Sequence, residues 1–178
     1  VIITVNRLDY AINKATDNGK VQKSNELGFF GDYNYFFYYS TITNELLGPY
    51  VIGSTPQREL AITFENISSD SHKDVVVQYA VRNSQYMKVY LFEKDKPSYA
   101  FHWRVYDGWG TDELNANCFN YGPGSFSTVK DIIITKGNMK NIDKDDDYDT
   151  ETPEIECTDE LIKRFFYNTK DGQYYTPN

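Results

Sequence analysis

The chain has 178 residues, a formal charge of −8 and a hydrophobic content of 40%. That length fits one domain of ordinary size with its own core, and the composition excludes wholesale disorder. The acidic balance excludes the nucleic-acid backbone as a partner, because neutralising phosphates requires clustered Lys and Arg. It also argues against electrostatic attraction to anionic lipid, which leaves neutral or zwitterionic partners.

Sixteen tyrosines and eleven phenylalanines are the compositional oddity. A Tyr ring buries its body while its hydroxyl stays wet or finds a partner, so such rings suit sheet faces and binding surfaces alike. No run approaches the ~18 apolar residues that a membrane span requires, so a soluble chain is expected. The chain opens at Val1 rather than at a methionine, as a processed secreted protein or a trimmed chain would. A secreted or extracellular setting is expected.

In chain order, residues 1–5 and 10–14 read as strands, with Asp17-Asn18-Gly19 as a turn after them. Residues 28–39, GFFGDYNYFFYY, hold eight aromatics. Over 35–39 this segment reads as a central strand covered on both faces. Over 29–33, where glycines interrupt it, a contact surface of exposed rings is an equal reading. Gly48-Pro49 and residues 53–56 punctuate the chain, and residues 60–64 alternate as a cleaner strand before a polar loop.

Residues 75–106 are the core of the pattern. Three runs alternate β-branched and aromatic residues with period two: 75–81, 86–92 and 99–106. Residues 82–85 and 93–98 supply the turns between them. Trp109 follows in an Asp-Gly-Trp-Gly turn, and residues 115–127 read as a long Gly, Pro and Asn-rich connection that carries Tyr121. Residues 129–135 close the strand series.

The expected fold is therefore all-β: an antiparallel β-sandwich or flattened barrel with one short C-terminal helix. The expected domain spans residues 1–136, followed over 137–178 by an acidic linker and that helix. Thr158 would cap the helix, Asp159 and Glu160 lie in its first turn, and Lys163 and Arg164 lie toward its end. Leu161, Ile162, Phe165 and Phe166 would form its apolar stripe.

Four sets of residues could carry function. Phe29, Phe30, Tyr33, Tyr35, Trp109 and Tyr121 are candidates for a ligand-contact surface. Asp143, Asp145, Asp147, Asp149, Glu151 and Glu154 fall at positions 1, 3, 5, 7, 9 and 12 of a twelve-residue loop, the ligand spacing of a calcium-binding EF-hand. Tyr148 stands where that loop wants Gly, and a solvated acidic linker is the alternative. Cys118 and Cys157, the two cysteines, permit one disulfide or two separate buried thiols. Asn66-Ile67-Ser68 is a glycosylation sequon in the polar loop.

Catalytic candidates are sparse. His72 reads as a solvated loop residue, and His102 beside Arg104 and Tyr106 could serve as a general base. Glu93 and Asp95 could pair as glycosidase carboxylates, although they flank a turn. Ser125 lacks the strand-turn-helix elbow of a nucleophilic serine. No enzyme activity and no resident cofactor are expected, with Ca²⁺ as the one possible ion.

Asp32-Tyr33-Asn34-Tyr35 and the neighbouring rings resemble the aromatic lipid-head-group cluster of actinoporin-type cytolysins, which are β-sandwiches of this size. The resemblance implies a membrane surface as partner. Those toxins keep an amphipathic N-terminal helix, which residues 1–10 do not supply. The leading expectation is a non-enzymatic binding protein for a glycan or protein ligand, with a membrane-active or pore-forming toxin and a self-assembling structural subunit as alternatives.

Overall fold

The computed structural model describes residues 1–6, 33–53, 60–81, 84–107, 115–140 and 153–177. The described residues are all-β, without a helix. Contacts divide the chain into two compact units, Val1–Leu60 with Tyr79–Arg82, and Ala61–Gln78 with Asn83–Asn178.

The first unit holds a three-stranded antiparallel sheet of β1 (Ile2–Asn6), β2 (Tyr33–Ser40) and β3 (Glu45–Gly53) in that order. The aromatic-rich β2 is its central strand. Neighbours β2 residues Tyr35 and Phe36 point to opposite faces, and both are buried, at 7% and 0% exposure. Phe36 stacks on Tyr50 of β3 with centroids 4.6 Å apart. Near-continuous apolar sequence is what a strand covered on both faces requires.

The other strands are β4 (Leu60–Glu65), β5 (Asp74–Val81), β6 (Ser84–Glu93), β7 (Lys96–Asp107), β8 (Asn115–Gly122), β9 (Asp131–Lys140), β10 (Glu154–Asn168) and β11 (Gln173–Tyr175). They form one sheet in the order β11-β10-β9-β8-β7-β6-β5-β4, antiparallel in each pair from β6 to β11. β6 and β7 are joined by a two-residue turn in which Lys94 and Asp95 both have positive φ, the condition of a hairpin turn that matches strand twist. β7 slips register against β6 at two points, between Gln85 and Tyr86 and between Val89 and Tyr90. The second slip turns Tyr99 outward to 45% exposure and buries Ala100.

The sheet curls over on itself. β7 and β10 are separated in the sheet by β8 and β9, yet Phe101 of β7 meets Phe165 of β10 at 4.9 Å and Tyr174 of β11 at 5.7 Å. Gln173 Nε2 donates to the Tyr99 carbonyl at 2.6 Å, tying β11 to β7. Met87, Val89, Leu91, Phe101, Ile132, Ile134 and Phe165 fill the enclosed side.

Two expectations are corrected. Residues 158–166, expected as the C-terminal helix, are the middle of β10. Phe165 pairs with Ile132 toward the core while Phe166 pairs with Tyr175 on the opposite face. The helix-like spacing arises because β10 slips register between Cys157 and Leu161 and again between Leu161 and Lys163. Two bulges in a strand break period two and imitate a helical stripe. Thr158, the expected cap, accepts the Glu160 N–H and donates to the Lys136 carbonyl, so its capping chemistry closes the bulge. The first half of the connection read over 115–127 is instead β8, which pairs with β9 along its whole length. Its first four residues alternate Asn with the small Ala116 and Cys118, which carry little hydrophobic signal, and β9 supplies the partner that makes it a strand. β9 itself runs across position 136 to Lys140, and β10 joins the same sheet.

The disulfide Cys118–Cys157 joins β8 to β10 across the intervening β9. Gly137 lies beneath the bridge: a Cβ there would sit 3.0 Å from Cys118 Sγ and 2.7 Å from Ile155 Cγ2. Bare backbone on β9 gives the sulfurs room to cross.

Candidate ligand platform

Register places one set of side chains on the face of β8–β11 that points away from the core. Gly122 opposes Asp131, Ile133 opposes Arg164, and Phe166 opposes Tyr175. Residues directly opposite share a face, so this set is the counterpart of the inward set Ile132, Phe165 and Tyr174.

Asp131 organises the set. It is 1% exposed, and its carboxylate accepts Arg164 Nε at 2.9 Å and Nη2 at 2.8 Å. It also accepts the Ser125 hydroxyl at 2.6 Å and the Ser125 N–H at 3.2 Å. A buried carboxylate needs a paired charge and filled lone pairs, and Asp131 has both. These bonds pull the loop after β8 back over the sheet, and Arg164 Nη2 adds a bond to the Pro123 carbonyl at 3.1 Å.

The loop thereby delivers Phe126 to Phe166. Their centroids are 5.1 Å apart with planes at 64°, and Tyr175, opposite Phe166 on β11, lies 6.3 Å from it with planes at 52°. Arg164 lies over the Phe166 ring at 5.8 Å. Phe126 is 69% exposed and Tyr175 40% exposed. The result is a row of three rings, half-buried at its centre and open at its ends, whose one cation is neutralised from below. Such a surface suits an apolar face of a ligand, with ring hydroxyl and guanidinium N–H at its edges.

Of the described residues singled out in the sequence as ligand contacts, Tyr35 and Tyr121 fall elsewhere. Tyr35, expected at a contact surface, is buried in the first unit because β2 is central in its sheet. Tyr121 faces the core of the curled sheet opposite Ile132, and burial, reinforced by Glu65 and Asp74, pushes its phenol well above the usual range. Tyr33 opens β2 opposite Gly53, with its side chain outside the described residues. Phe29, Phe30 and Trp109 lie outside the described residues, as do Asp143, Asp145, Asp147, Asp149 and Glu151. Glu154 is described: it opens β10, exposed and opposite Lys140. An EF-hand requires a helix to leave its loop at that point, and β10 is a strand. Among the described residues, no three of His, Cys, Asp and Glu come together as metal ligands.

Asn66 is engaged within its own loop. Its Nδ2, the atom a glycan would occupy, donates to the carbonyls of Ser69, Asp70 and His72 at 3.0–3.2 Å. Beside it, buried Asp74 accepts the Ile67 and Ser68 N–H groups, the Ser68 hydroxyl and the Phe92 N–H, anchoring the loop to β6.

The catalytic candidates are held in structural bonds. Ser68 Oγ lies 3.0 Å from His72 Nε2, the reach of a nucleophile and base, but its single proton goes to Asp74 at 2.8 Å. The imidazole must then donate to Ser68, the reverse of activation. Glu93 accepts the Tyr167 hydroxyl, Asp95 sits in the hairpin turn, and Ser125 is bound by Asp131. Desolvation and the Lys88 ammonium hold the His102 imidazole below its ordinary value.

The fold and the platform together define an all-β antiparallel protein with an exposed row of rings on its outer face. No protein-family model matches the chain, and neither a curated protein nor a solved structure does. Sequence reasoning missed Phe126, Arg164, Phe166 and Tyr175. Phe166 and Arg164 were placed in a helix, and nothing short of the register of β10 against β9 and β11 aligns them with Tyr175. The one available signal was Phe126, an aromatic at the end of a Gly-Pro-Gly-Ser loop.

Proposed function

We propose that this chain is a secreted or cell-surface protein that binds a neutral glycan, without catalysis, through the platform of Phe126, Phe166 and Tyr175. Its second unit is then an antiparallel β-sandwich in its flattened-barrel form, with the platform on the outer face. One observation carries the reading: three rings in contact, two of them well exposed, on a face whose own arginine is already neutralised. Contiguous exposed aromatic surface marks interaction sites, and the C–H face of a sugar ring stacks on aromatic faces without needing charge. The chain charge of −8 argues against sulfated or phosphorylated ligands.

A glycan array probed with the wild-type chain and with Phe126→Ala tests this. Phe126 is open to solvent and its loss leaves the core untouched. The expected result is retention of at least one neutral glycan, weakened about tenfold in the variant, the ~1.4 kcal/mol that an aromatic anchor commonly carries. An array on which only acidic glycans or none respond refutes the reading.

A further inference from the structure

The inclination of the rings narrows the class of glycan. Phe166 is turned 64° from Phe126 and 52° from Tyr175. A flat, rigid polysaccharide face touches only rings that share a plane, so it cannot lie on Phe166 and on either neighbour together. A free chain can turn at each glycosidic linkage and present successive sugar faces to successive rings, and the centroid steps of 5.1 and 6.3 Å are of the order of one sugar unit.

The charge pattern fixes the chemistry of that chain. Asp131 binds Arg164 through Nε and Nη2, so little positive field is left for a carboxylate or sulfate. Nη1 has no bond partner among the described residues, and its N–H groups stand beside the Phe166 ring where a sugar hydroxyl can accept them. A continuous C–H face on each unit further requires substituents that are equatorial, as in β-linked glucose.

We infer that the platform takes a single soluble chain of neutral, equatorially substituted pyranoses, at least two units long, and not the packed surface of an insoluble polysaccharide. The inference rests on the glycan reading above and deepens it. It is tested by titrating the full chain with β-1,4-linked glucose oligomers of one to six units, and by pull-down on crystalline cellulose. Wild type, Phe126→Ala and Tyr175→Ala are compared, each variant first checked for an unchanged melting profile.

The expected result is at least tenfold tighter binding of the tetramer than of the monomer, a loss of tenfold or more in each variant, and little retention on cellulose. Retention on cellulose with weak tetramer binding overturns the single-chain inference and leaves the glycan reading standing. When every glucose oligomer is silent, the same titration is run with oligomers of the neutral glycan the array retains; axially substituted units, or no gain in affinity with length, overturn the inference too. Should the array be silent as well, the glycan reading itself is overturned.

Discussion

Replacing Asp131 by Ala removes the group that holds the platform together. Its carboxylate is 1% exposed and takes two bonds from Arg164 and two from Ser125. Truncating one member of a buried pair costs roughly 3–5 kcal/mol, because the other charge is left unpaired. Arg164 keeps 38% of its side chain exposed and can recover some hydration, which places the cost near the lower end, about 3 kcal/mol. For a chain of this length, that is a fall in Tm of roughly 6–12 °C. The assay is urea unfolding of Asp131→Ala, Arg164→Ala and the double variant. Since each single change strands the other partner, the double variant should cost at least ~1 kcal/mol less than the two singles together. Costs that add to within ~0.5 kcal/mol would show that the pair does not interact, and would refute the account of how Phe126 is brought to Phe166.

Other consequences follow from the core and the bridge. Gly137→Ala drives a methyl into Ile155 and Cys118, and should destabilise by about 1–3 kcal/mol in thermal unfolding, although Ala is ordinarily the better strand residue. Thr135→Val should stabilise by about 1 kcal/mol in the same measurement, because Thr135 Oγ1 is buried without a hydrogen-bond partner among the described residues. Tyr121, Tyr167 and Tyr174 are all held well above the usual phenol range, chiefly by burial, with Glu93 adding to the effect at Tyr167. Below pH about 10 both states keep these protons; above it the unfolded chain releases them first, so stability should fall as pH rises beyond that point. Ultraviolet titration should show this group of phenols ionising only as the fold is lost, and a simple transition of every tyrosine near pH 10 would contradict it.

The all-β class, the central place of the aromatic β2 and the runs that became β4 to β7 and β9 were legible in the sequence, because period-two alternation is a local property that burial on a sheet enforces. Burial of Met87, Val89 and Leu91 at alternate positions of β6 agrees with that pattern, whereas β5 is buried on nearly every residue, on both of its faces. β8 and β10 were not legible. Asn-rich β8 is a strand because β9 fills its hydrogen bonds, and β10 hides its alternation behind two register slips. The platform was beyond reach for the same reason: Phe126 is distant in sequence from Arg164, Phe166 and Tyr175, and only strand register and the buried carboxylate of Asp131 align the four. Local propensity sets which segments can be strands; long-range pairing decides their register, and register decides which rings face water.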